Sequence, residues 1–327
     1  MSDIHRQDTS ARADDLASRP PTVALIGSTL DLGFLVKPLR RALPGATIKV
    51  WPQDDVSEAE IAVCWYPPPG VLATMARLRL AHSIAAGLDT IFADPGLPAV
   101  PVCRVVDAEH ARGMAEYALW ATTLFHRQLD VVLRNQRLQA WERPRQRPAE
   151  DVTVGVMGWG TFGQVVGRRL RACGYGVRGW ARSSRPAGDI SVFAGEAERD
   201  AFLAETNVLI CLLPLTEETR DILNGDLFAR LPAGAALINI GRGEHLVEAD
   251  LIAALDGGHL RGAILDVFRE EPLPSASPLW HHPRIIVTPH VASMPRTAEV
   301  ARQIADNATR VMTGRPVLNA GDRARGY

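Results

Sequence analysis

The chain has 327 residues, long for a single hydrophobic core, so two domains are expected. Its 46% hydrophobic and 22% charged content excludes a disordered chain. A formal net charge of −1 excludes the basic footprint of a nucleic-acid binder, and no apolar run approaches the ~18 residues of a membrane span.

Residues 1–20 are polar and mixed in charge, and they read as a mobile tail without a secretory signal. Thr22 to Gly27 reads as the first buried strand, followed by a helical stretch carrying Phe34, Leu35, Leu39 and Leu43. Further strands are expected at 47–50, 60–65, 78–82 and 100–103, separated by breakers such as Pro67-Pro68-Pro69-Gly70 and Asp94-Pro95-Gly96. Strands alternating with helical patterns indicate βαβ units and a parallel sheet. The small-residue turn Ser83 to Asp89 follows a strand directly, where backbone N–H groups can face a ligand. One long helix is expected over 107–133, then a polar connector over 142–150 with Pro144 and Pro148. The four cysteines, Cys64, Cys103, Cys173 and Cys211, form no CxxC pair and suit reduced core residues in a cytoplasmic setting.

A second α/β block opens at Val152. Its first strand runs to Met157 and meets Gly158-Trp159-Gly160-Thr161-Phe162-Gly163 and then a helix. A bare GxGxxG is weak, but between a strand and a helix each glycine has work to do. Gly158 permits the tight turn, Gly160 lets backbone approach a pyrophosphate, and Gly163 allows close helix packing. The helix N-terminus then favours the phosphates. A site for NAD places an acidic residue ~20 positions on, at the end of the next strand. This chain has Ala181-Arg182-Ser183-Ser184-Arg185 there instead. Two guanidiniums and two hydroxyls suit a 2′-phosphate, so NADP(H) is the expected preference, with NAD(H) as the lesser cofactor.

Three later apolar runs, 235–240, 262–268 and 285–288, read as buried parallel strands, and Arg242, Glu271 and His290 stand just past their ends. In open α/β sheets the ligand crevice lies outside the carboxyl ends of the strands. A guanidinium, a carboxylate and an imidazole there suit holding an acid, polarising its carbonyl and moving a proton. His281 and His282 are adjacent, so their side chains diverge, and no metal site is expected. The helix over 296–312 returns the chain to the first domain. The expected division is 21–117 plus 296–327 against 118–295.

With these stretches in hand, the chain resembles the D-isomer-specific 2-hydroxyacid dehydrogenases. The matching segments are the fingerprint, Leu212-Leu213-Pro214-Leu215-Thr216, Ile238-Asn239-Ile240-Gly241-Arg242-Gly243, Leu265-Asp266-Val267-Phe268 with Glu270-Glu271-Pro272-Leu273, and Thr288-Pro289-His290. More narrowly it is similar to the glyoxylate/hydroxypyruvate reductase A branch. That likeness rests on Cys64-Trp65-Tyr66-Pro67-Pro68, Gly113-Met114-Ala115-Glu116-Tyr117-Ala118, Ser277-Pro278-Leu279-Trp280 and the terminal 322–327. One departure is Gly241, where the family usually has a different small residue before the arginine.

The resemblance implies a Rossmann cofactor domain inserted in a flavodoxin-like substrate domain, both doubly wound α/β. It implies NADPH-dependent reduction of a small 2-keto acid, glyoxylate or hydroxypyruvate. Arg242 would hold the substrate carboxylate and carbonyl oxygen. His290 would be the general acid, and Glu271 its partner, favouring the imidazolium and fixing the ring. Besides Gly158, Gly160 and Gly163, cofactor contacts are implied at Thr161, Phe162, Arg182, Ser183 and Arg185, and at Leu213, Pro214, Ile240 and Asp266. Asp266 would meet the nicotinamide carboxamide or ribose. Ala86 and Gly87 would offer backbone N–H groups to the substrate carboxylate, and Trp65 and Trp280 would shape the pocket. A homodimer through the helix from Asp107 is also implied. Two other readings stay open: a reductase of bulkier 2-keto acids, and a dinucleotide-sensing binding protein like the family's co-repressors. The lack of a basic patch and of a long C-terminal extension weighs against the second.

Overall fold

Short aliphatic runs bounded by turns become parallel strands in both halves of the chain. The computed structural model describes residues 19–185 and 187–327. It divides into two units: one runs to Asp107 and resumes at Pro295–Tyr327, and the other is Ala108–Met294. The division falls before the helix Ala108–His126 because that helix buries Met114, Ala115, Ala118 and Phe125 in the core of the second unit. The expected boundary at 117/118 would have cut through it.

In the first unit β1 (Thr22–Gly27), β2 (Thr47–Val50), β3 (Ile61–Trp65), β4 (Leu80–Ser83) and β5 (Val102–Cys103) form a sheet in the order β2-β1-β3-β4-β5. All its pairings are parallel. This is the flavodoxin order, and the strand order reverses between β1 and β3. Alternate residues feed two cores, Val23, Leu25 and Ile61 on one face and Ala24, Ile26 and Ala62 on the other. Helix Thr297–Met312 lays Val300, Ile304 and Ala308 on the first of these. The expected tail lies outside the described residues up to position 18. Its end is tied down: Arg19 pairs with the buried Glu60 at 2.7 Å.

The second unit holds β6 (Thr153–Met157), β7 (Gly176–Ala181), β8 (Ser191–Ala194), β9 (Val208–Cys211), β10 (Ala235–Asn239), β11 (Leu260–Leu265) and β12 (Ile285–Val287). Their order is β12-β11-β10-β9-β6-β7-β8, again parallel throughout. Here the strand order reverses at β6, flanked by β7 and β9. Both units are therefore doubly wound α/β, as the sequence leads one to expect.

Two expectations about elements are corrected. The single helix over 107–133 is two, Ala108–His126 and Leu129–Arg137, separated where Gln128 takes a left-handed φ of 54°. The polar connector causes the break by bonding back onto it. Arg127 donates to Gln146 at 2.6 Å, Gln128 to the Arg145 carbonyl at 2.5 Å, and His126 Nε2 lies 2.8 Å from the Arg147 carbonyl. The strand expected at 262–268 stops at Leu265, because Asp266 turns away to bond the segment after β12. Among the described residues no helix is long and apolar enough to cross a membrane.

Candidate active site

The fingerprint lies at the carboxyl end of β6, at the point where strand order reverses. Its glycines fit a dinucleotide. Gly158 has φ +104°, and a Cβ there would come 2.5 Å from the Leu212 carbonyl oxygen. A Cβ on Gly163 would sit 2.0 Å from the Gly158 carbonyl oxygen, so helix and turn touch backbone to backbone. At Gly160 a Cβ would meet nothing within 4 Å, which leaves an open face above the turn. Helix Thr161–Ala172 begins there with Gly160 as its cap and no side-chain capping bond, so its first N–H groups face that opening.

The remaining cofactor candidates fall into two sets. Thr161, Arg182, Ser183 and Arg185 are exposed, the last three in the loop that leaves β7. Phe162 is half-buried, its ring 4.8 Å from that of His110. Leu213 and Ile240 are buried in the core, so what they can offer a ligand is backbone. Pro214 is exposed in the loop after β9.

β10, β11 and β12 are neighbours at one edge of the sheet, so the loops carrying Arg242, Glu271 and His290 leave on the same side. The first two loops are pressed together at Gly243. A Cβ there would lie 1.8 Å from the Phe268 carbonyl carbon, a position only glycine tolerates. Arg242 donates its Nη1 to the Gly241 carbonyl at 2.8 Å, and its own carbonyl accepts from Asn239 Nδ2 at 2.9 Å.

Glu271 spans the next gap. Its Oε1 accepts the Phe268 N–H at 2.9 Å and its Oε2 lies 2.7 Å from His290 Nδ1. Burial pushes this carboxyl up. The hydrogen bond and charge of His290, the Phe268 N–H and the nearby Arg242 outweigh that and hold it below the usual glutamate range. With Nδ1 engaged, Nε2 is the ring nitrogen that can serve a substrate. The two side chains are 25% and 20% exposed, enough to reach a ligand.

His290 adopts a left-handed backbone, φ 54°, which a side-chain-bearing residue holds only under constraint. Asp266 supplies the constraint. Its carbonyl accepts the His290 N–H at 2.8 Å, and its carboxylate accepts Val291 N at 2.9 Å, Ala292 N at 2.8 Å and Thr288 Oγ1 at 2.5 Å. Thr288 is in turn 2.6 Å from the Tyr117 hydroxyl. Asp266 is only 1% exposed, and burial raises its carboxyl despite these donors. Asp266, expected at the cofactor, also fastens the His290 loop through these bonds.

Trp280 is 45% exposed and donates its indole N–H to the Pro274 carbonyl at 3.0 Å. Trp65 ends β3 of the first unit and stacks edge-on with Tyr66, ring centroids 5.0 Å apart. Ala86 and Gly87, also of the first unit, are half-buried in the turn that leaves β4. Tyr117 and Asn239 lie in the matched segments but join the site only through tertiary contacts, and His245 is a buried histidine with no signal in the sequence. Among the described residues no group of three or more His, Cys, Asp or Glu side chains is placed to hold a metal ion.

Residues 119–292 match the family model for the NAD-binding domain of D-isomer-specific 2-hydroxyacid dehydrogenases. A D-isomer-specific 2-hydroxyacid dehydrogenase from Xanthobacter autotrophicus Py2, solved with NADPH and MES, is 37% identical with a TM-score of 0.87, over 94% of this chain and 100% of that one. A family protein from Klebsiella pneumoniae 342 is 40% identical with a TM-score of 0.88, over 94% and 98%. The NADPH-dependent glyoxylate/hydroxypyruvate reductase of Sinorhizobium meliloti, solved with NADP and sulfate, is 35% identical with a TM-score of 0.87, over 94% and 100%. The chain belongs to the D-isomer-specific 2-hydroxyacid dehydrogenase family.

Proposed function

We propose that the protein reduces a small 2-keto acid, glyoxylate or hydroxypyruvate, to the 2-hydroxy acid with NADPH. The observation that carries this reading is the His290–Glu271 pair, 2.7 Å apart beside the Arg242 loop and on the same sheet as the fingerprint. Gly158, Gly160, Gly163 and the start of helix Thr161–Ala172 would hold the pyrophosphate. Arg182, Ser183 and Arg185 would hold the 2′-phosphate through charge-assisted bonds. When bound, the reduced nicotinamide supplies hydride to the carbonyl carbon.

The chain's own residues do the rest. Arg242 binds the carboxylate through its guanidinium fork and polarises the carbonyl oxygen. His290 gives its Nε2 proton to that oxygen, and Glu271 holds the ring and favours its charged form. Asp266, Thr288 and Tyr117 act behind them, keeping the His290 loop in its left-handed turn. The reductase from Sinorhizobium meliloti supports the substrate class.

The test is a panel of glyoxylate, hydroxypyruvate, pyruvate and a branched 2-keto acid with NADPH. The first two should give the highest kcat/KM. Preference for the branched acid would move the assignment to bulkier substrates, and no turnover of any member would remove it.

We further propose a homodimer. Trp120, Leu133, Leu138 and Trp141 are 43%, 46%, 69% and 91% exposed, the first two on the helices Ala108–His126 and Leu129–Arg137 and the others just after the second. So much apolar surface in one stretch suits burial by a second copy. Light scattering that reports a monomer at micromolar concentration would rule it out.

A further inference from the structure

His245 is fully buried in the short turn Gly243–His245 that follows Arg242, and both its ring nitrogens are used. Nδ1 accepts the backbone N–H of Arg242 at 3.1 Å. The ring proton therefore sits on Nε2, which faces the Pro214 carbonyl at 3.3 Å. The approach is close: a Cβ on Gly241 would come 3.1 Å from Nδ1. The Cys211 thiol packs 3.6 Å from the same nitrogen, and burial, pushing it up to about 12, keeps it neutral.

Pro214 belongs to the loop whose Leu212 carbonyl lies against Gly158 of the fingerprint. One imidazole thus joins the turn that carries the substrate-binding arginine to the loop that abuts the cofactor cradle. Asn239 Nδ2 holds the Arg242 carbonyl at 2.9 Å from the other side, so the arginine's peptide groups are gripped before and after its Cα. We propose that His245 is a positioning residue that sets the place of Arg242 relative to the dinucleotide site. The inference rests on the reading of Arg242 as the group that grips the substrate. A side chain of similar size that accepts no hydrogen bond would leave the Arg242 N–H unsatisfied and let the turn drift, and a drift of ~1 Å can cost about 100-fold in rate.

The test compares H245L and H245N with R242A and the wild type, measuring kcat and KM for glyoxylate, the Kd for NADPH and the thermal midpoint. Leucine removes the acceptor, whereas asparagine places Oδ1 near the position of Nδ1. H245L should raise the keto-acid KM and lower kcat/KM by about 100-fold, a larger loss than any in NADPH affinity, and H245N should recover most of it. A folded H245L with wild-type kcat/KM, or an H245N as impaired as H245L, would overturn the proposal. If H245L does not fold, H245N against H245Q decides, because glutamine reaches the Nε2 position instead; H245Q matching or exceeding H245N overturns it. R242A with wild-type turnover would sink the functional reading together with this one. An inactive R242A beside a wild-type-like H245L would sink only the positioning role.

Discussion

Nδ1 of His290 and Oε2 of Glu271 stand 2.7 Å apart although their strands end separately and 19 positions divide them. The contact is built from backbone. Phe268 N–H holds the other oxygen of Glu271, and Asp266 holds His290 in a conformation its φ of 54° makes costly. With one nitrogen held by the carboxylate, Nε2 is the nitrogen to which the proposed function assigns proton donation.

Replacing Glu271 by glutamine keeps the shape and removes the charge. In the wild type the carboxylate lies below the ordinary 4.5, so it stays ionised wherever an imidazole titrates, and its contribution to stability is lost only as pH falls through that depressed value. Without the charge, protonated imidazole is less favoured. The high-pH limb of keto-acid reduction in E271Q should therefore move to lower pH. An unmoved kcat/KM profile would count against the pairing.

The loop after β7 sets the second prediction. Arg182→Ala should lower kcat/KM for NADPH about 10- to 100-fold, the size of one hydrogen bond to a charged group, and leave NADH nearly unaffected. Initial rates with both cofactors check it. A wild-type enzyme that uses NADH and NADPH equally would refute the assignment.

Stability against pH should report on His82, which is fully buried at the end of β4. Its Nε2 faces Asn307 Nδ2 at 3.2 Å and its Nδ1 the Ser83 carbonyl at 2.7 Å, so the neutral ring is the one that fits. Burial lowers it from 6.5 to about 4. Below pH 6.5 the unfolded chain takes a proton that the folded chain refuses, so stability falls as pH drops toward 4, by on the order of 3 kcal/mol in all. Urea unfolding of His82→Gln between pH 4.5 and 7 should show a shallower slope than the wild type. Parallel slopes would contradict this.

Much of the architecture could be read from the residues alone because buried parallel strands leave aliphatic runs, and the proposed catalytic groups sit just past them. Thr22–Gly27 and Thr47–Val50 fall where the apolar pattern puts them. What escaped is tertiary in origin. Nothing local marks Gln128 as left-handed; the connector's hydrogen bonds impose it. The part Asp266 plays in fastening the His290 loop is invisible until its three donors are seen. His245 looks like any core histidine, since its partner Arg242 is contacted through backbone, which carries no signature in the sequence.

In the proposed reaction His290 donates the proton while Arg242 and Glu271 set it up. The most direct measurement is kcat for glyoxylate reduction by His290→Ala, taken with the Kd for NADPH. His290→Ala should lower kcat by ~10²–10⁴ with cofactor binding intact. A variant that binds NADPH and turns over glyoxylate at the wild-type rate would contradict it.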